Sequence, residues 1–480
     1  MKKFKNRLLK NLIFIIGIVE TIFLVANSVP REGLEFMWLL PLTFCSCALF
    51  FRRIFDYHHG GLGLKVAYII EIIRYLILPF LISISNGEIS IVRMSIVPEI
   101  SYRYAILIQC IEIIVFFTTI YYCYPKLLYR IEKNYKKKSK KFYLQNIQLC
   151  GWIIFIIFVL FLLLRVNIWL PALNISFLKI SSVSTKIVFE NTILSCVKII
   201  ILILAIKYVQ SCKYKSRRYF LGIFFLIIWL LFSSLSYFGT NRVYVIENLL
   251  TSIMLVIIAL PQTKKLIITI VVPSCIALVF SMLVTKQFSL DTAEEFSTSI
   301  LSVQLISNTV EEYVNGPWTI AQTHNSSQFL PILIRYQAFG SDLASGLKGI
   351  GDLPLIKQIV QSTEEWKTSS EIMKSSFQNF DRGQMLSLSA GVFIWFGPII
   401  GWFIFPIVNY ILVRFLIICE IKSKIIESLY YKYMYIWMGI LLGLMHCYCI
   451  ETILYCWSKF ILIYWGYLKV NSIPILFRKK

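Results

Sequence analysis

Arginine and histidine side chains standing apart from the basic clusters are the best candidates for chemistry in this chain. Gly239-Thr240-Asn241-Arg242 reads as a tight turn between two apolar runs, where a guanidinium can fork onto phosphate oxygens. The plainer reading of Arg242 is a cation snorkelling to lipid headgroups, paired with Glu247. Arg165, near the end of its own apolar run, has the same two readings. His324 is the one histidine of the long stretch 286–387; it is a general-base candidate near neutral pH, against the duller reading of a solvated loop histidine. Arg335 and Arg382 add positive charge to that stretch, and Asp381, Asp342 and Asp352 are acidic candidates for a base or for positioning an acceptor. Lys198 lies mid-run, where a charge is costly unless it faces a cavity or a partner such as Glu112 or Glu71. Glu71 and Arg74, three apart on a helix, pair most simply with each other, and His446 and Glu451 meet at the hairpin between the last two runs. His58-His59-Gly60-Gly61 has no acidic companions and is a weak metal candidate.

No GxxxxGK[ST] loop, HExxH, GxSxG or dinucleotide fingerprint occurs. An enzyme working outside the cytoplasm without an ATP motif must draw its driving force from an activated substrate, which a lipid-linked donor supplies.

The elements that must position these residues follow from composition. With 58% hydrophobic and 15% charged residues among 480, the chain has too little charge to cover a soluble domain. Runs of about twenty apolar residues predict about twelve transmembrane helices, near 8–28, 34–51, 62–84, 102–124, 147–169, 188–208, 219–238, 243–260, 266–285, 388–417, 429–448 and 450–468. The net charge of +23 resides in short clusters between them: Arg52-Arg53, Arg130 to Lys141, Lys213 to Arg218, Lys264-Lys265, Lys422 with Lys424, and Arg478 to Lys480. Those clusters fall at alternate junctions, which by the positive-inside rule puts both termini in the cytoplasm and excludes nucleic acid as the reason for the charge. All 12 cysteines lie in apolar runs or beside basic junctions, so no disulfide framework is expected.

The fold expected is therefore an all-α polytopic membrane protein: helices one to nine in 1–285, a large, partly helical extracytoplasmic loop in 286–387, and the last three helices in 388–480. In the loop, a cap at Asp291 or Thr292 opens an amphipathic helix that Gly316-Pro317 stops; it lies on the bilayer surface or packs on the bundle. A polar turn at His324-Asn325-Ser326-Ser327, a short helix from Pro331 to Phe339, a glycine-rich passage from Gly340 to Gly351 and a polar return through Asp381-Arg382-Gly383-Gln384 are expected next.

This organisation resembles the bacterial oligosaccharide repeat-unit polymerases, the O-antigen and capsule polymerase family. The resemblance rests on the topology, the turn ending in Arg242, the long late loop, and Phe380-Asp381-Arg382-Gly383-Gln384 leading to Trp395-Phe396-Gly397-Pro398-Ile399-Ile400-Gly401. His324-Asn325 is also similar to the histidine-asparagine pair of the related O-antigen ligases. The resemblance implies a GT-C-like architecture and metal-independent glycosyl transfer at the outer face of the bacterial plasma membrane. The partners implied are a polyprenyl-diphosphate-linked oligosaccharide donor and acceptor, the lipid bilayer, a chain-length regulator and a flippase. Arg242, Arg165 and either Arg335 or Arg382 would hold the diphosphate, and His324 or Asp381 would take the acceptor proton. The rival readings are a lipid-linked oligosaccharide flippase, for which two pseudo-repeated halves and short outer loops are expected, and an O-antigen ligase-like transferase; for an ion channel or solute carrier, broken helices with paired intramembrane charges are not evident.

Overall fold

The computed structural model describes residues 2–27, 31–54, 62–87, 97–138, 185–235, 242–274, 303–347, 354–363, 365–375, 386–458 and 464–465. Among these there is no strand, and the chain is all-α. Its helices are α1 (Lys2–Ala26), α2 (Leu39–Phe50), α3 (Gly63–Ile84), α4 (Glu99–Lys138), α5 (Thr185–Ser211), α6 (Arg217–Leu235), α7 (Arg242–Ala259) and α8 (Pro261–Ser274). The stretch between α8 and the last helices supplies α9 (Val303–Val314), α10 (Pro317–Phe329), α11 (Ile332–Ser345), α12 (Pro354–Ser362) and α13 (Ser369–Ser375). Then come α14 (Leu388–Ile425), α15 (Leu429–Gly443) and α16 (Ile450–Cys456).

Among the described residues, three helices are long and apolar enough to cross a membrane: α3, α4 through Tyr135, and α14. A fourth span results if α7 from Glu247 and α8, bent by 116° at the Leu260-Pro261 junction, count as one. The expected run at 147–169 lies outside the described residues, as do parts of those at 266–285 and 450–468. Large apolar side chains stay exposed along α4 (Leu107, Ile114) and α14 (Ile399, Phe403, Ile407, Phe415), a surface suited to hydrocarbon rather than water.

Close approach of helices organises the core. A Cβ on Gly63 would come within 2.5 Å of the Gly439 carbonyl oxygen, so backbone contact between α3 and α15 requires glycine there. Midway along α3, a π turn at Ile73–Ile77 widens the helix just before Pro79, which cannot donate to the Tyr75 carbonyl. The wide turn also carries Arg74 and Tyr75, both wholly buried.

α14 corrects the expected single span at 388–417. Gly397, at φ 75 and ψ 177, reverses the chain, and Pro398 starts the second arm. The first arm, residues 388–396, folds back along the second: Phe393 lies 5.6 Å from Phe405 between ring centroids, and Asn409 Nδ2 donates to Ser389 Oγ at 3.1 Å. The apolar run therefore divides into a short helix enclosed by protein and a long arm that can span. Backbone at Gly397 lies in a region that only glycine occupies without strain, and the Arg335 guanidinium fills the space a Cβ would take. Gly397→Ala is expected to cost about 1–3 kcal/mol from backbone strain alone. Thermal unfolding of that variant in detergent should show a lower Tm, only partly recovered when Arg335→Ala relieves the collision.

Candidate functional site

α10 carries the site. Asn315, at φ 53, turns the chain out of α9; Pro317, with no N–H to satisfy, starts α10, and the Glu311 carboxylate accepts the Trp318 N–H at 2.5 Å. α10 then packs between α4 and α14. Its polar residues Thr319, Gln322, Thr323, His324 and Ser327 are all buried. The expected polar turn at 324–327 is thus helix interior, and His324 is only 2% exposed rather than solvated. The residues read as a turn because Ser and Asn are turn formers, but packing of α10 between α4 and α14 holds them in a helix.

His324 stands in an aromatic box, with ring centroids 4.8 Å from Tyr104, 5.5 Å from Phe393 and 6.5 Å from Trp402. Its Nδ1 lies 3.5 Å from Gln328 Nε2, a long contact. Burial lowers the His324 pKa to about 4, so the imidazole is neutral at neutral pH. In the neutral ring one nitrogen carries the proton and the other accepts, so the tautomer decides which nitrogen can serve as a base. Ser327 Oγ donates to the His324 carbonyl at 2.7 Å, and Arg335 Nη2 donates to the Ser327 carbonyl at 2.9 Å. One proposed base and one proposed cation thus share a helix end. The guanidinium also complements the negative end of the α10 dipole.

The remaining expectations fare differently. Arg242 is the first residue of α7, which packs on α5, α6 and α15. Arg165, Asp381, Arg382, Asp352 and His58-His59 lie outside the described residues. Asp342 is not an available base: its carboxylate accepts Ser369 N at 3.0 Å, Ser369 Oγ at 2.5 Å and Trp395 Nε1 at 2.7 Å, locking α11, α13 and the short arm of α14 together. Burial raises its pKa, while these three donors pull the other way. α11 runs on to Ser345, so the expected helix end at Phe339 is overturned and Gly340, read as the start of a glycine-rich passage, is helical.

A buried ion network escaped the sequence reading. Glu71 and Arg74 do not pair with each other: Arg74 Nη1 meets Glu112 Oε2 at 3.0 Å, and Glu71 Oε1 meets His446 Nδ1 at 2.5 Å. Neither carboxylate is therefore the partner sought for Lys198, and His446 turns inward to Glu71 rather than to Glu451. Tyr75 Oη accepts from Arg74 at 3.1 Å and donates to Glu112 at 3.0 Å; Arg74 Nε donates to the Asn315 carbonyl at 3.1 Å, and Asn315 Nδ2 to the His446 carbonyl at 3.3 Å. All these residues are at most 2% exposed. Charges inside apolar runs were the available signal, but partners far apart in sequence cannot be read from spacing. Beside the α9–α10 joint, Ser307, Asn308, Glu311, Tyr102 and Trp318 line a small crevice of about 10 Å³, room for a single water.

No protein-family model, curated protein or solved structure matches the chain.

Two outcomes follow. Because His324 titrates at about 4 when folded against about 6.5 when free, the unfolded chain binds more protons between those values. Its contribution to stability is complete above about pH 6.5 and is lost as pH falls towards about 4; the Tm of His324→Gln should decline less over that interval. Arg74→Met should cost about 3–5 kcal/mol by leaving Glu112 unpaired, and Arg74→Met with Glu112→Leu should recover most of it, both read by Tm.

Proposed function

We propose that the chain is a glycosyltransferase that polymerises polyprenyl-diphosphate-linked oligosaccharide repeat units into O-antigen, capsular or exopolysaccharide. In this reading it crosses the bacterial plasma membrane about twelve times with both termini in the cytoplasm, and works at the outer face. The observation that carries the reading is the helical assembly of α9, α10, α11 and the short arm of α14, which encloses a neutral His324 and, across Ser327, the cation Arg335. It stands beside α14, whose last turn holds Lys422 and Lys424, cations that the positive-inside rule assigns to the opposite membrane face from the Gly397 end.

The chemistry asks for little more. A sugar hydroxyl of the acceptor unit attacks the anomeric carbon of the growing chain, its proton passing to His324 or Asp381. The bond from that carbon to the diphosphate oxygen breaks, and polyprenyl diphosphate leaves with the electron pair. Arg242, Arg165 and either Arg335 or Arg382 would neutralise the charge that develops there.

A second reading, transport of the lipid-linked unit, has one specific observation in its favour. The Glu71–His446 and Arg74–Glu112 pairs are buried ionisable groups of the kind proton-coupled carriers use, and Glu71 Oε2, Arg74 Nη2 and His446 Nε2 have no hydrogen-bond partner among the described residues. The two readings separate in cells. His324→Ala and Arg242→Ala, at normal protein levels, should replace the long polysaccharide ladder on a gel with single-repeat products that still reach the surface. Loss of all surface repeats would favour transport, and an unchanged ladder in both variants would end the polymerase reading.

A further inference from the structure

α11 is built the wrong way round for a helix in water. Its buried side carries Ala338, Ser341, Asp342, Ala344 and Ser345, small or polar residues. Its open side is apolar and large: Ile332 is 82% exposed, Leu333 66% and Tyr336 65%, with Leu343 on the same face. At about 100° per residue these positions fall on one third of the helix circumference, with Trp366 packed beside Tyr336 and Gly340. A soluble domain does not expose a contiguous stripe of this kind.

The stripe is also continuous with a surface already suited to hydrocarbon. Arg335, on the first turns of α11, sits against Gly397, and the next residues of the long α14 arm leave Ile399 at 77% and Phe403 at 74% exposed. Phe339 of α11 packs on Trp395 and Phe396, with centroids 5.1 and 6.0 Å away. Fourteen residues make a helix of about 21 Å, too short to cross a hydrocarbon core of about 30 Å. α11 cannot cross on its own; it sits across the Gly397 end of α14.

We propose that α11 is a lipid-embedded element, its Ile332, Leu333 and Tyr336 face seated among phospholipid acyl chains and its Asp342 face locked to the protein. The stretch between α8 and α14 is then, over α11, part of the membrane body rather than a soluble loop. This inference is independent of the polymerase reading and survives its failure.

The test is spin-label accessibility in the full chain, reconstituted in vesicles of phosphatidylcholine and phosphatidylglycerol alone. Single cysteines replace Ile332, Leu333 and Tyr336, with Ile399→Cys as the lipid reference and Lys357→Cys, exposed on α12, as the water reference; the unsubstituted chain corrects for native cysteines. The three positions should match Ile399, with collision by dissolved oxygen exceeding collision by a water-soluble nickel chelate several-fold, and Lys357 should show the reverse. Nickel accessibility at the three positions would overturn the proposal in favour of a solvated loop. Shielding from both reagents would overturn it in favour of a protein partner or a second copy.

Discussion

Charge inside an apolar bundle must be paired, and that constraint shapes the centre of this molecule. Arg74 and Glu112 join α3 to α4, while Glu71 and His446 join α3 to the chain beyond α15. Asn315 then bridges the two pairs through its carbonyl and amide, so the joint between α9 and α10 is fastened to the same cluster. A buried pair is not in itself a strong stabiliser, since desolvation offsets most of the attraction. Its effect is specificity: any other arrangement of these helices strands a charge in hydrocarbon, at a cost of several kcal/mol.

From that cluster the site follows. With Asn315 held in the bundle, α10 has to enter the protein interior, and its serine, threonine and glutamine side chains become a polar lining instead of a loop surface. His324 then meets Tyr104, Phe393 and Trp402, whose burial keeps it neutral. The reversal at Gly397 supplies Phe393 from the short arm and Trp402 from the long one, and Arg335 closes the corner against the glycine. One ion network, one glycine turn and one cation thus position a single histidine.

The same features divide the two functional readings by location. Groups suited to acid–base and phosphate chemistry gather at the Gly397 end of α14, whereas the titratable pairs sit deeper, midway along α3 and α4. A transferase needs only the first set. The second set fixes which helices meet, whether or not a proton ever crosses them.

Much of the fold was legible from the letters alone. Apolar runs gave helices at most of the expected places, because a backbone in hydrocarbon must satisfy its own hydrogen bonds and a helix does so within each run. His324 and Arg335 also stood out, since charge and imidazole are conspicuous in such a composition. Three things were decided only in three dimensions: the partners of Glu71 and Arg74, the burial of α10, and the break of the 388–417 run at Gly397. The reason is physical. In water, polarity tells inside from outside, and the pattern is written along the sequence. Where lipid and core are both apolar, which face meets which neighbour depends on contacts between residues hundreds of positions apart, as Glu71 and His446 are.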